Sequence, residues 1–287
     1  MSEMKKVVVT GAAGTIAGLV LPGLRERYDV VPVDVNSTNR QGDEIEGIQI
    51  ADLLNRNRDT YRPLFAGADA VAHFGFVWSE DYGDPVQRYR AELSNVDMAF
   101  NIFQVSLEEN VRRVVMASSN HAADYYEPLI LADKMDVVTP DMRALSDNYY
   151  GWAKESYEHL GFVFATGVPN GRPLENVQIR IGGPRETDVE NCKKGDIVGV
   201  RRALGAYISQ RDLQQLFIKS IETEDIRDEN GVPFQIFYGV SGNSHNFWSL
   251  ANARRIVGYE PEDNSQIRFA DKLSSILLEA QAEADIQ

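Results

Sequence analysis

The first half of the chain alternates short apolar runs, rich in β-branched residues, with longer amphipathic stretches. This alternation is typical of βαβ units, in which buried parallel strands alternate with helices. Pro32 lies inside the second apolar run and can donate no hydrogen bond, so it weakens the centre of that strand. The pattern predicts strands at 7–9, 30–35, 48–51, 68–74, 111–117 and 177–181, and helices at 16–27, 89–110 and 149–168.

The regular alternation of predicted strands and helices ends at Gly182. The stretch 182–199, rich in proline, glycine and charge, predicts a loop. Beyond it we expect a helix at 212–223, a strand at 234–240 and a C-terminal helix after Ile267. The fold class is therefore α/β, a doubly wound parallel sheet followed by a small C-terminal cap.

The segment 10–18, Thr-Gly-Ala-Ala-Gly-Thr-Ile-Ala-Gly, follows the first strand and opens the first helix. Gly11 and Gly14 permit a tight turn and a close approach of the backbone to a pyrophosphate. The pyrophosphate would then lie on the positive N-terminus of the helix, which begins near Thr15 and Ile16. The spacing Gly-x-x-Gly-x-x-Ala differs from the Gly-x-Gly-x-x-Gly of many dehydrogenases.

Asp34 ends the second strand about twenty residues after the turn. A carboxylate there binds both ribose hydroxyls of NAD and repels the 2′-phosphate of NADP, so the sequence favours NAD. Arg40 lies close enough in sequence to keep NADP open. The other candidates for cofactor binding are Asp52 and Leu53 at the adenine, Phe74 and Gly75 after the fourth strand, and Asn95 in the following helix.

Tyr150 and Lys154 are four residues apart, so they share one face of a helix. A tyrosine pKa near 10 is too high for a base at neutral pH, and a nearby positive charge lowers it. Ser119 ends the fifth strand, at the sheet edge where ligands bind in such folds. It can hold a substrate oxygen while Tyr150 removes the proton. The three residues therefore predict a catalytic set of Ser119, Tyr150 and Lys154.

The chain resembles the short-chain dehydrogenase/reductase superfamily, in its NAD-dependent epimerase/dehydratase branch. The resemblance rests on segment 10–18, Asp34, Asn95, Ser119, Tyr150, Lys154 and Ile181, and it covers nearly the whole chain. It implies a Rossmann-type fold, with an NAD-binding domain at 1–182 and a small substrate-binding region at 183–287 that also contributes to the core. It further implies that Lys154 binds the nicotinamide ribose and that Ile181 lies behind the nicotinamide.

Within that branch the chain is similar to the uronate dehydrogenases, which oxidise C1 of a hexuronic acid to a lactone. The similarity lies in 117–121, Tyr125, Tyr126, 180–182, 202–204, Ser209, Asp212 and 257–261. It implies that Asn120 and His121 contact the sugar and that Arg202 binds its carboxylate. An arginine binds a phosphate equally well, so a sugar phosphate stays open as the substrate. Gly183 stands where those enzymes tend to carry a serine.

Two other functions remain open. A nucleotide-sugar epimerase or dehydratase would begin with the same hydride transfer, but such enzymes usually have a larger C-terminal region than the roughly one hundred residues after Gly183. A non-catalytic NAD sensor could share the fold, although it would not need Ser119, Tyr150 and Lys154. Net release of NADH distinguishes a dehydrogenase from both.

Composition changes this picture little. The net charge of −14 argues against a nucleic-acid partner and suits either a high-salt or an ordinary cytoplasm. The single cysteine, Cys192, excludes an internal disulfide, and no spacing suggests a metal site. The apolar runs are too short for a membrane span or a signal peptide. We expect a cytoplasmic homodimer or larger assembly, formed through the helices around Met98 and Tyr157.

Overall fold

Seven parallel strands form one sheet, which confirms the predicted fold class. The computed structural model describes residues 4–284. The strands are β1 (Lys6–Thr10), β2 (Asp29–Asp34), β3 (Gln49–Ile50), β4 (Ala70–His73), β5 (Arg113–Ser119), β6 (Glu175–Ile181) and β7 (Phe234–Gly239). They lie in the order β3-β2-β1-β4-β5-β6-β7. The chain order reverses between β1 and β4, so a ligand crevice is expected at the carboxyl ends of these two strands.

Helices cover both faces of the sheet. They are α1 (Thr15–Arg25), α2 (Arg62–Phe65), α3 (Pro85–Glu108), α4 (Glu127–Leu131), α5 (Tyr149–Thr166), α6 (Thr187–Glu190), α7 (Ile197–Ala206), α8 (Gln210–Glu222), α9 (Ala251–Val257), α10 (Ser265–Arg268) and α11 (Ala270–Ala284). Helices α1 and α8 pack together on one face, and α3 and α5 pack together on the other. In the part of the chain described, no helix is both long and apolar enough to cross a bilayer.

The apolar run of β1 supplies both cores. Val7 and Val9 pack into the cluster that includes Phe217 of α8, whereas Val8 packs into the cluster that includes Phe164 of α5. Successive side chains of a strand point to opposite faces, so a strand with helices on both sides must be apolar throughout. The short valine runs of the sequence therefore mark the centre of the sheet.

Pro32 is accommodated within β2. Strand β3 pairs only with Val33 and Asp34, so at Pro32 the strand has one paired neighbour, Val9 of β1. A residue without an N–H is tolerated where one side of a strand is unpaired.

The loop predicted at 182–199 is wrong in part. Helix α6 lies inside it and α7 begins before its end. The side chain of Asp196 accepts a hydrogen bond from the amide of Gly199 and so caps α7. Helix α7 then packs with α11 in a separate small cluster whose members include Leu204, Phe269 and Ile276. The glycines of α7 made it look irregular, but burial against α11 stabilises it.

The C-terminal part of the chain also returns to the main sheet. Strand β7 pairs with β6 along its whole length, and α8 packs on α1. The division into an NAD-binding domain at 1–182 and a substrate-binding region at 183–287 stays a prediction.

Candidate active site

The turn after β1 brings the backbone very close to the end of β4. Gly11 has a φ of +72°, and a Cβ at this position would lie 2.3 Å from the backbone nitrogen of Gly75. Only glycine permits both this conformation and this approach. Helix α1 begins at Thr15, and its cap residue Gly14 makes no side-chain hydrogen bond. The first amides of α1 therefore remain available to an anionic group such as a pyrophosphate.

A cavity of about 1120 Å³ runs along the carboxyl edge of the sheet, from this turn to α5. It crosses the reversal point between β1 and β4, where dinucleotides bind in such folds. Among the residues proposed from the sequence, those that line it are Gly11, Gly14, Thr15, Ile16, Asp34, Asp52, Leu53, Phe74, Gly75, Ser119, His121, Tyr150, Lys154 and Ile181. The fold therefore brings together residues that are spread over 170 positions of sequence, from Gly11 to Ile181.

Asp34 lies at one end of the cavity. Its Oδ2 accepts a hydrogen bond of 3.0 Å from the amide of Ala13, and its Oδ1 accepts one of 3.0 Å from the amide of Asn36. These contacts fix the carboxylate beside the turn that follows β1. Arg40 also lines the cavity, with its guanidinium carbon 5.4 Å from the centre of the Trp78 ring. The residues present thus fit a dinucleotide, with a carboxylate at the expected position of a ribose.

Lys154 lies at the other end of the cavity and is buried. Its Nζ donates a 2.9 Å hydrogen bond to the carbonyl of Ala117, at the end of β5. The ammonium also lies over three aromatic rings, 4.8 Å from that of Tyr157, 5.3 Å from that of Tyr150 and 5.5 Å from that of Phe76. Burial lowers the pKa of Lys154 to about 8, and the negative charges of Glu92 and Glu158 oppose this effect.

Tyr150 is half-buried at the start of α5 and lines the cavity together with Ser119. The cap of α5 holds it in place, because the side chain of Asn148 accepts a hydrogen bond of 2.9 Å from the amide of Gly151. In the chain by itself burial raises the pKa of Tyr150, which is opposite to the direction expected from Lys154. The hydroxyl of Ser119 and the charge of Arg185 both oppose this rise.

His121 lies two residues after Ser119 and packs beside Tyr150. Its Nδ1 lies 2.9 Å from Oδ2 of Asp124, and its ring meets the Tyr150 ring edge-on at 5.7 Å between centroids. The same Asp124 oxygen accepts a hydrogen bond from Nδ2 of Asn148. A pair of hydrogen bonds to one carboxylate thus orients both the histidine and the cap of the helix that carries Tyr150.

Three residues proposed from the sequence, Asn95, Asn120 and Arg202, do not line the cavity. Asn95 binds the backbone of Val77 through both its amide atoms, at 2.7 and 3.0 Å, and so anchors the loop after β4. Asn120 is buried beside Ser119, and its Nδ2 has no hydrogen-bond partner in the part of the chain described. Such an orphaned donor suits a bound ligand.

Arg202 is engaged elsewhere. Its Nε and Nη2 donate to the two carboxylate oxygens of Glu127, at 3.0 and 3.2 Å. The ligand roles of Asn95, Asn120 and Arg202 stay predictions.

Among the cavity residues that the sequence did not reveal, Asn148 and Arg185 have polar side chains beside the Tyr150 end. Asn148 carries a usable signal, because an asparagine just before a predicted helix is a typical cap. Arg185 carries none, since an arginine in a loop rich in proline and charge is indistinguishable from a solvated one.

Comparison with protein families places the chain. Residues 7–162 match the family model described as the NAD-dependent epimerase/dehydratase family. This match covers more than half of the chain, from β1 through most of α5.

Several curated proteins are similar over nearly their full length. L-arabinose 1-dehydrogenase (NAD(P)⁺) of Haloferax volcanii is 29% identical over 270 residues, covering 91% of this chain and 98% of that protein. Uronate dehydrogenase of Pseudomonas syringae pv. tomato is 27% identical, covering 93% of this chain and 85% of its own. NAD-dependent glucose-6-phosphate dehydrogenase of Haloferax volcanii is 26% identical, covering 90% and 94%.

Among solved structures, a mutant uronate dehydrogenase from Agrobacterium tumefaciens in complex with NAD has the same fold. It superimposes with a TM-score of 0.72 at 22% identity, covering 95% of this chain and 90% of that one.

Proposed function

The chain belongs to the NAD-dependent epimerase/dehydratase family, and we propose that it oxidises a hydroxyl group of a sugar with NAD. The preferred substrate is a hexuronic acid or a related aldose, oxidised at C1 to a lactone. One observation carries the proposal. Ser119, Tyr150 and Lys154 lie together at one end of a single cavity whose other end holds Asp34 and the glycine turn. Two of the similar curated proteins carry both a sugar and a nicotinamide cofactor in their names, L-arabinose 1-dehydrogenase (NAD(P)⁺) and NAD-dependent glucose-6-phosphate dehydrogenase, and a third is a uronate dehydrogenase.

The residues divide the work of the reaction. Ser119 and Tyr150, which line the cavity together, hold the oxygen of the substrate hydroxyl, and Tyr150 takes its proton. NAD, when bound, accepts the hydride from the carbon that bears this hydroxyl. Lys154, fixed on the carbonyl of Ala117, keeps a positive charge beside the phenol and so favours its phenolate form. The orphaned Nδ2 of Asn120 and the ring of His121 are the sugar contacts proposed beside them.

The cofactor would occupy the rest of the cavity. The amides that follow Gly11 and Gly14 would bind the pyrophosphate, Asp34 the ribose, and Ile181 would lie behind the nicotinamide. The positions proposed for the adenine and the cofactor walls are Thr15, Ile16, Asp52, Leu53, Phe74 and Gly75, with Asn95 behind them. Arg40 lies close to Asp34 in sequence, and one similar enzyme carries NAD(P) in its name, so NADP remains to be measured beside NAD.

The test is release of NADH with a panel of sugars: glucuronate, galacturonate, arabinose, glucose 6-phosphate and UDP-glucose. Tyr150→Phe and Lys154→Ala should each lower kcat by about 100-fold or more, because general-base catalysis is lost. Tyr149→Phe is the matched control. It removes the hydroxyl of the adjacent tyrosine, which is exposed and packs on Tyr89 outside the cavity, and should leave kcat unchanged.

The outcomes separate the alternatives. NADH release only with glucose 6-phosphate would make the enzyme a sugar-phosphate dehydrogenase. Interconversion of UDP-sugars without net NADH release would make it an epimerase and remove the dehydrogenase proposal. Tight NAD binding with no turnover of any sugar would favour a sensor.

A further inference from the structure

Arg185 occupies the substrate end of the cavity, in the loop that follows β6. It lines this cavity together with Ser119 and Tyr150. The side chain is 68% exposed, and its Nε lies 3.2 Å from Oδ1 of Asp188. Within residues 4–284 no other hydrogen bond or ion pair of Arg185 is found, so both terminal nitrogens of the guanidinium are unpaired.

The loop that carries Arg185 is held on both sides. The amide of Gly183 donates to the carbonyl of Ala206 at 2.7 Å, and the amide of Ile208 donates to the carbonyl of Gly183 at 3.1 Å. On the other side Glu186 forms an ion pair with Arg268 of α10. These contacts fix the backbone on either side of Arg185, so the side chain is presented from a defined position rather than from a free loop.

The charges of the cavity favour Arg185 as an anion ligand. Among the described residues that line the cavity, three are arginine or lysine: Arg40, Lys154 and Arg185. The guanidinium of Arg40 lies over the ring of Trp78, and Lys154 is buried on the carbonyl of Ala117. Arg185, whose terminal nitrogens are unpaired, is therefore the cation best placed to bind a substrate near Tyr150. Its charge opposes the rise in the pKa of Tyr150, which places the guanidinium within electrostatic range of the reacting group.

Arg202 is poorly suited to this role. Its guanidinium is bound at two points by Glu127, whose side chain is 13% exposed. Releasing Arg202 to a substrate would leave the Glu127 carboxylate in a poorly solvated position without its partner, which is unfavourable. A substrate anion can bind the two terminal nitrogens of Arg185 while its Nε stays on Asp188.

We propose that Arg185 binds the anionic group of the substrate, a carboxylate of a sugar acid or a phosphate of a sugar phosphate. The assignment rests on the proposed function. A guanidinium can bind either group through two parallel hydrogen bonds. Arg185 thereby determines whether the enzyme prefers an anionic sugar over a neutral one.

The experiment compares Arg185→Ala and Arg185→Lys with the wild type on glucuronate, glucose 6-phosphate and the neutral sugar arabinose. Loss of a charged hydrogen-bond pair should lower kcat/KM for the anionic substrate by about 10- to 100-fold, mainly through KM. The change with arabinose should stay below about threefold, and lysine should restore part of the loss. Glucuronate and glucose 6-phosphate distinguish a carboxylate from a phosphate ligand.

Arg201→Ala is the matched control. Arg201 lies outside the cavity and pairs with a single carboxylate, that of Asp133, so its removal also deletes one arginine charge. It should leave the preference for anionic sugars unchanged. Equal losses on charged and neutral sugars in Arg185→Ala, or a selective loss in Arg202→Ala instead, would overturn the assignment.

A binding measurement keeps the assignment separate from the reaction. Titration calorimetry of glucuronate and glucose 6-phosphate into the NADH-loaded Tyr150→Phe variant needs no turnover. Binding that Arg185→Ala weakens at least tenfold in this background supports the assignment even if no sugar is oxidised, and the proposed oxidation alone would then be wrong. Binding of neither anion, or binding that is insensitive to Arg185→Ala, removes the assignment.

Discussion

His73 is a buried base close to the cavity, yet it is not part of the cavity wall. It lies at the end of β4, with Nδ1 2.7 Å from Oγ1 of Thr10, and it is 3% exposed. Burial lowers its pKa to about 3. The folded chain therefore holds this histidine neutral at pH values where the unfolded chain protonates it.

We expect His73 to make the protein sensitive to acid. Its contribution is fully present above the unfolded pKa of about 6.5 and is lost as the pH falls towards 3, because only the unfolded state then binds a proton. Between pH 7 and pH 5 the free energy of unfolding should fall by about 2 kcal/mol more in the wild type than in His73→Asn, measured by urea titration. His159→Asn, on an exposed site of α5, should keep the wild-type pH dependence. Equal slopes in all three proteins would contradict the prediction.

At the residue scale, the sequence predicts best what lies next to a strand end. Ser119 and Asp34 could be placed because a parallel strand delivers its last residue to the ligand edge. Arg185 and the pairing of Arg202 with Glu127 could not, since both depend on how loops and helices distant in sequence come together. Local patterns carry no information about such contacts.

At the element scale, the start of α5 packs so closely on its neighbours that Gly151 has no room for a side chain. A Cβ on Gly151 would lie 2.1 Å from the carbonyl oxygen of His121 and 2.1 Å from Oγ of Ser146. The helix therefore sits directly on the segment that follows β5, which brings Tyr150 within reach of Ser119. Any side chain at Gly151 would push α5 away from this segment and so move Tyr150 away from Ser119.

Gly151→Ala should destabilise the protein by about 1–3 kcal/mol through overpacking and should also lower kcat, because Tyr150 moves with the helix. Gly18→Ala is the matched control in α1, where a Cβ meets nothing within 4 Å. It should raise the free energy of unfolding by about 0.5–1 kcal/mol, since alanine favours a helix. Urea titration and kcat measurements on both variants test this prediction. Similar free energies of unfolding for the two variants would show that α5 can shift to accommodate the added methyl group.

The elements themselves were predicted unequally. Every predicted strand exists within two residues at each end, because a run of buried β-branched residues is a strong local signal. The short helices α2, α4, α6, α7, α9 and α10 were not predicted. Helix α4 has five residues, too few to show a period, and α7 is stabilised by packing with α11 rather than by its own sequence.

At the scale of the whole molecule, α3 carries an exposed apolar stripe. Val86, Tyr89, Leu93 and Phe100 follow helical spacing and are each at least 40% exposed. The residues named for the interface from the sequence, Met98 and Tyr157, are themselves buried within the chain. The assembly into a homodimer or larger therefore stays a prediction. We now expect the contact between subunits to involve the exposed apolar stripe of α3.

Light scattering of the wild type should give a mass of at least two chains. Leu93→Glu, in the middle of the stripe, should reduce the mass to one chain, because it places a charge in an apolar contact. Val168→Glu introduces the same charge at an exposed apolar residue just after α5 and should leave the mass unchanged. A wild-type mass of one chain would remove the assembly altogether.

The pairing of β6 with β7 has a consequence for synthesis on the ribosome. Strand β6 ends at Ile181, and the strand that covers its outer edge begins only at Phe234. While the intervening residues are being translated, β6 forms the edge of the nascent sheet. It is a strand that is buried in the folded protein, and its backbone groups are unpaired along one side. Such an edge readily pairs with other chains. Cotranslational chaperones would therefore be needed most during the interval between residues 181 and 239, and silent changes that slow translation there should lower the soluble yield.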